Sequence, residues 1–171
     1  MKNNTPFYSL WLVPKDPLKK EIQDINKFFS KKFGGPQFCP HVTLNPFICG
    51  PEKALRQQCL TFSRLFNPLE IRLENVSTTE KFFMSVFFDV HKSSQLMDMN
   101  KKSKALFESK EQLYVPHLSL TYGDFSFSEK NEMIGLSKVQ TKSFVAEDLY
   151  LCLNDEAKLS WDVVDKFSFS S

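Results

Sequence analysis

Five residues recur almost unchanged in this chain. Pro40-His41-Val42-Thr43-Leu44 returns as Pro116-His117-Leu118-Ser119-Leu120. Each copy follows an aromatic residue and a small or branched one, Phe38-Cys39 in the first and Tyr114-Val115 in the second. In a β-strand, side chains i and i+2 share a face and lie about 6–7 Å apart. His41 therefore projects with Thr43, and His117 with Ser119. Val42, Leu44, Leu118 and Leu120 project the other way and need a core. The repeat thus asks for two matched strands, each with one face to bury and one to show. Set side by side, they bring two imidazoles and two hydroxyls to one cleft.

The elements around the repeat also come twice. Residues 7–13 read as a strand, and Asp16-Pro17 opens a helix whose apolar stripe is Leu18, Ile22, Ile25, Phe29 and Phe33. Residues 41–47 form a strand, and Pro51 opens a helix with Leu55, Cys59, Phe62 and Phe66 on one face. Strands at 69–77 and 81–90 make a hairpin, and a helix over 94–108 turns Leu96, Met99, Ser103 and Leu106 inward. A strand at 113–121 precedes a helix that starts at the Ser126-x-x-Glu129 capping box and buries Met133 and Leu136. Strands at 143–153 and 159–169 close as a hairpin. No Pro-, Ser- or Gly-rich linker divides this series. The expectation is an α+β fold, with residues 1–171 forming one unit of two related lobes. Each lobe is an antiparallel sheet with helices on its outer face, and a cleft lies between the lobes.

Composition removes several function classes. With 42% hydrophobic residues and 18 Phe, the chain can build a core. Five Gly, without GxGxxG or GxxxxGK[ST], leave no phosphate-binding loop. Three His and cysteines at 39, 49, 59 and 152, none in CxxC, support no metal centre. A net charge of +2 does not suit a binder of duplex nucleic acid. No run is long and apolar enough for a transmembrane helix. The opening MKNNTPFYSLWLVP lacks the apolar run of a signal peptide, so a cytoplasmic location with reduced thiols is expected. The sequons at Asn3 and Asn75 then carry no meaning. Neither cofactor nor metal is expected, and the chain is expected to be a monomer with no membrane contact.

Two histidines and two hydroxyls, with no fixed carboxylate, suit a phosphodiester. Hydroxyls can donate to non-bridging oxygens as charge builds there. One neutral imidazole can take a proton from water while the other, protonated, gives one to the leaving alkoxide. An unperturbed pKa near 6.5 allows both forms near neutrality. Which histidine is base and which acid stays open in the sequence.

A pair of His-x-Thr/Ser motifs in a chain of this size resembles the two-histidine (2H) phosphoesterase superfamily. The blocks Tyr8–Pro14, Phe38–Thr43, Phe82-Phe83 and Tyr114–Tyr122 resemble its plant and yeast cyclic phosphodiesterase branch. The resemblance implies metal-independent hydrolysis of ADP-ribose 1″,2″-cyclic phosphate and nucleoside 2′,3′-cyclic phosphates, to the 1″- or 2′-phosphate. It implies that His41 and His117 are catalytic, that Thr43 and Ser119 hold the phosphate, and that Trp11 and Tyr122 line the cleft. The expected partner is a small cyclic phosphate, with an RNA 3′-end as a further candidate. Other readings are an RNA-end or 2′-5′-oligoadenylate phosphodiesterase, and a nucleotide-binding module without activity. Two intact proton-transfer groups favour the enzyme.

Plainer roles compete at individual positions. Either histidine alone could be a satisfied core residue; as a matched pair they read as catalytic. His91 reads as a surface residue. Trp11 and Tyr122 could pack the core. On a strand Phe82 and Phe83 point to opposite faces, so at most one can line a base-stacking wall, and Phe83 is the candidate. A Cys39–His41 nucleophile pair lacks an orienting Asn or Asp, and Pro40 interrupts it.

Overall fold

The computed structural model describes residues 7–110 and 113–170, so the sequon at Asn3 lies outside the described residues. Its strands are β1 (Phe7–Leu12), β2 (Val42–Ile48), β3 (Leu69–Thr78), β4 (Val86–Val90), β5 (His117–Thr121), β6 (Ser143–Ala146), β7 (Asp148–Asp155) and β8 (Ser160–Ser168). The helices are α1 (Leu18–Phe33), α2 (Glu52–Ser63), α3 (Ser94–Leu106) and α4 (Phe127–Leu136). The strands form one antiparallel sheet in the order β6-β3-β4-β5-β2-β1-β7-β8.

The two repeat strands, β2 and β5, meet at the middle through the single pair Val42↔Leu118. This seam divides the sheet into two four-stranded lobes, each antiparallel with helices on its outer side. The lobes are not the two halves of the sequence. β1, β2, β7 and β8 make one, and β3 to β6 make the other.

The expected strand over 143–153 is in fact two. β6 pairs with β3 in the second lobe, and β7 pairs with β1 and β8 in the first. The chain crosses between lobes at Glu147, whose carboxylate pairs with Lys15 beside the end of β1. Only Glu147 and Asp148 separate the apolar runs at 144–146 and 149–153, too short a break to mark the crossing in the sequence.

The helices cross over as well. α1 packs against β5, and α3 packs against β2. Each sends one buried asparagine to the last residue of the opposite repeat. Asn26 Nδ2 donates to the Leu120 carbonyl at 3.0 Å, and Asn100 Nδ2 to the Leu44 carbonyl at 2.7 Å. A buried carbonyl needs a donor, and here β2 and β5 part after one pair. The two amides supply it symmetrically.

The core lies between the sheet and the helices. Val42, Leu44, Leu118 and Leu120 are fully buried in it, as the repeat requires. Burial of each such side chain stabilises the fold by about 1.5–3 kcal/mol. Leu18, Ile22 and Phe29 of α1 join them, and the capping box at Ser126 and Glu129 is present at the start of α4. Two expected core positions are corrected. Leu106 and Leu136 stand at helix ends and are exposed, while Phe107 is buried next to Leu106 and Met133 is buried as expected.

Candidate active site

The other face of the sheet carries a cleft of about 390 Å³. It is lined on the seam by Trp11, His41, Thr43 and His117, and above them by Lys81, Phe82, Phe83, Tyr122 and Trp161.

The two histidines are held alike. His41 Nδ1 is 2.7 Å from the Cys39 carbonyl, and His117 Nδ1 is 2.8 Å from the Val115 carbonyl. A carbonyl only accepts, so each Nδ1 carries the hydrogen and Nε2 is the nitrogen left for chemistry. The residue before each proline supplies this acceptor. Cys39 thus contributes its carbonyl rather than a nucleophile, and burial pushes its thiol pKa up.

Their surroundings differ. His41 is buried, and its ring stacks on Trp11 with centroids 3.6 Å apart and planes 6° apart. Burial brings its pKa down to about 4, the Cys39 carbonyl opposes that, and the charge of His117 adds to it. His117 is partly buried and sits edge-on to Phe87 at 5.2 Å. Burial lowers its pKa too, but the Val115 carbonyl and the Asp89 carboxylate oppose the shift, while Lys81 reinforces it. Asp89 is directly opposite His117 across the β4–β5 ladder.

The hydroxyls also differ. Thr43 opens onto the cleft, and the Tyr114 hydroxyl donates to its backbone carbonyl at 3.1 Å. Ser119 is buried beneath the surface, where its hydroxyl bonds with that of Tyr122. Thr43 is therefore poised at the surface of the site, and Ser119 reaches it through Tyr122.

Aromatic rings build the upper wall. Tyr122 stacks on Phe38 at 4.0 Å and 14°, and Phe83 and Trp161 each lie 5.5 Å from Tyr122. Gly35 lets the preceding loop press against this group: a Cβ there would sit 2.5 Å from the Tyr122 carbonyl. The expectation that only one of Phe82 and Phe83 could line the site is corrected. Residues 82–84 form a 3-10 turn, not a strand, and both rings face the cleft. Trp11 lines the floor of the cleft, almost fully buried, with one face of its ring stacked on His41.

Sequence reasoning missed Trp161, Lys81 and Asp89. Trp161 arrives on the last hairpin, opposite Asn154, and nothing local marks it. His91 pairs with Glu74 at 3.0 Å, away from the cleft. Among the described residues no cluster of His, Cys, Asp and Glu could hold a metal ion, and no helix is long and apolar enough to cross a membrane.

Residues 7–169 match the family described as cyclic phosphodiesterase-like protein. A cyclic phosphodiesterase of Arabidopsis thaliana is 26% identical over 163 residues, covering 93% of this chain and 87% of its own. TT0787 of Thermus thermophilus superposes with a TM-score of 0.67 at 14% identity, over 95% of this chain and 97% of its own. E. coli LigT in complex with 3′-AMP superposes with a TM-score of 0.62 at 10% identity, over 97% of this chain and 99% of its own.

Proposed function

The chain belongs to the cyclic phosphodiesterase-like family of two-histidine phosphoesterases, and on that premise we propose that its cleft opens nucleoside 2′,3′-cyclic phosphates and ADP-ribose 1″,2″-cyclic phosphate without a metal. The observation that carries this reading is the matched pair of imidazoles. Each is locked through Nδ1 to a carbonyl two residues back, with Nε2 left for proton transfer.

The two environments support one division of roles. His41 is buried beside an indole, and no carboxylate among the described residues raises its pKa, so it stays neutral and acts as the base. His117 has Asp89 to favour its imidazolium, so it acts as the acid. Water attacks phosphorus and its proton passes to His41 Nε2. The P–O3′ bond breaks, and His117 Nε2–H protonates the leaving O3′, giving a 2′-phosphate. For the ADP-ribose substrate the P–O2″ bond breaks in the same way. Thr43 and the cationic Lys81 stabilise the charge that builds on the non-bridging oxygens. Phe83, Tyr122 and Trp161 give the nucleoside an aromatic wall on which a base can stack.

The test is phosphorus NMR of 2′,3′-cyclic AMP incubated with the protein in excess EDTA. Conversion to 2′-AMP at the same rate with and without EDTA is expected. Formation of 3′-AMP would overturn the regiochemistry. A rate abolished by EDTA would overturn metal independence.

A further inference from the structure

The first turn of α4 is inverted. Phe127 is exposed, whereas Lys130 is buried on the same stripe as Met133 and Ser137. A lysine on a core stripe is costly unless its charge is paired. Here Lys130 Nζ donates to Glu80 Oε1 at 2.9 Å, its one hydrogen bond among the described residues. The pair is lopsided, because the lysine side chain is 5% exposed and that of the glutamate is 94% exposed. An exposed carboxylate gains little from an ion pair, whereas a buried ammonium that loses its partner is strongly penalised. Glu80 is thus held far more firmly than its own exposure would hold it, since it cannot leave without stranding the lysine.

Glu80 stands in the connection between β3 and β4, where the chain closes a turn on itself. Thr79 N–H donates to the Ser85 carbonyl at 3.2 Å, the Thr79 hydroxyl donates to the Met84 carbonyl, and Lys81 N–H donates to that hydroxyl at 3.2 Å. Beyond the β3–β4 ladder from which it rises, two hydrogen bonds tie this turn to other elements among the described residues. Gly123 N–H donates to the Phe82 carbonyl at 3.0 Å, and Lys130 donates to Glu80. None of Phe82, Phe83 and Met84 is buried, so packing alone does not fix the turn. Yet Lys81, Phe82 and Phe83, the three residues that follow Glu80, all line the cleft. Lys130 does not line it.

We propose that Lys130 is a positioning residue for the reaction. Through Glu80 it fixes the turn over 79–85, and so sets Phe82 and Phe83 where a base can stack on them. The inference rests on the reading of the cleft above.

The test is steady-state kinetics with two substrates, 2′,3′-cyclic AMP and methyl riboside 2,3-cyclic phosphate, which has the same cyclic ester and no base. Lys130→Met replaces the buried charge with an apolar chain of similar size and leaves Glu80 free in water, so the fold should hold. Its KM for 2′,3′-cyclic AMP should rise about five-fold or more, while its KM for the riboside changes by about two-fold or less. Glu80→Gln, at the exposed end of the pair, keeps an oxygen that can accept from the ammonium. It should give a smaller rise for the nucleotide alone, and it carries the test should Lys130→Met not fold. A lysine that only stabilises the fold would lower the active fraction, and with it kcat, and leave both KM values in place. That result in whichever variant folds overturns the proposal, and so does an equal rise of KM for both substrates. No hydrolysis of either substrate by the unchanged protein overturns the reading of the cleft, and this role with it.

Discussion

His41 and His117 repeat each other in sequence and in backbone geometry, yet their titration is set by neighbours that the repeat does not contain. In the proposed mechanism His41 must be neutral to take a proton, and burial brings its pKa down to about 4. His117 must be protonated to give one, and its pKa is lowered from 6.5. The kcat/KM profile should therefore rise with pH through about 4 and fall again below 6.5. Asp89→Asn removes a charge that holds the proton on His117, so the falling limb should move to lower pH while the rising limb stays. Rate profiles of both proteins check this; limbs that both lie above pH 6.5, or a falling limb indifferent to Asp89, would contradict it. Lys81→Ala should lower kcat about ten-fold or less, as loss of one exposed cation facing the charge that builds in the transition state would, with KM changed less. The placing of His41, Thr43 and His117 on one cleft was legible in the sequence because strand alternation is a local rule, whereas Ser119 lies buried beneath it. Asp89, Lys81 and Trp161 were not, because pairing across strands and the return of the last hairpin bring them in.

At the scale of elements, most strands and helices followed from periodicity and from their stop signals. Phe82-Phe83-Met84 has the composition of a strand but folds as a 3-10 turn in the connection between β3 and β4, and Glu147 alone separates β6 from β7, where the chain changes partner. Partner choice is not a local property. The crossed helices have the same origin. Asn26 and Asn100 sit on apolar helix faces as ordinary polar residues, yet each holds one repeat strand from behind. Asn100→Leu should lower kcat more than it raises KM by loosening the strand that carries Thr43. Combined with Thr43→Ala its effect should fall short of additive, whereas with Ser119→Ala it should be additive. Asn26→Leu should show the opposite pairing. A double-mutant cycle measures this, and equal coupling of both asparagines to both hydroxyls would mean that they only stabilise the fold.

The whole molecule brings two similar strands together at a single backbone pair, backs them with helices from opposite lobes, and sets His41, Thr43 and His117 along one cleft. In the proposed mechanism, two local sequences brought together by the fold supply proton transfer in both directions. The lobes interleave along the chain, and the last two strands return to β1 and bring Asn154, Glu156 and Trp161 to the cleft. The central claim is that both histidines transfer protons in the hydrolysis of a cyclic phosphate. It is tested most directly by kcat/KM toward 2′,3′-cyclic AMP for the unchanged protein, His41→Ala and His117→Ala, each verified as folded by circular dichroism. Each change should cost about 10²–10⁴-fold. Either variant retaining activity within about ten-fold of the unchanged protein would contradict the account.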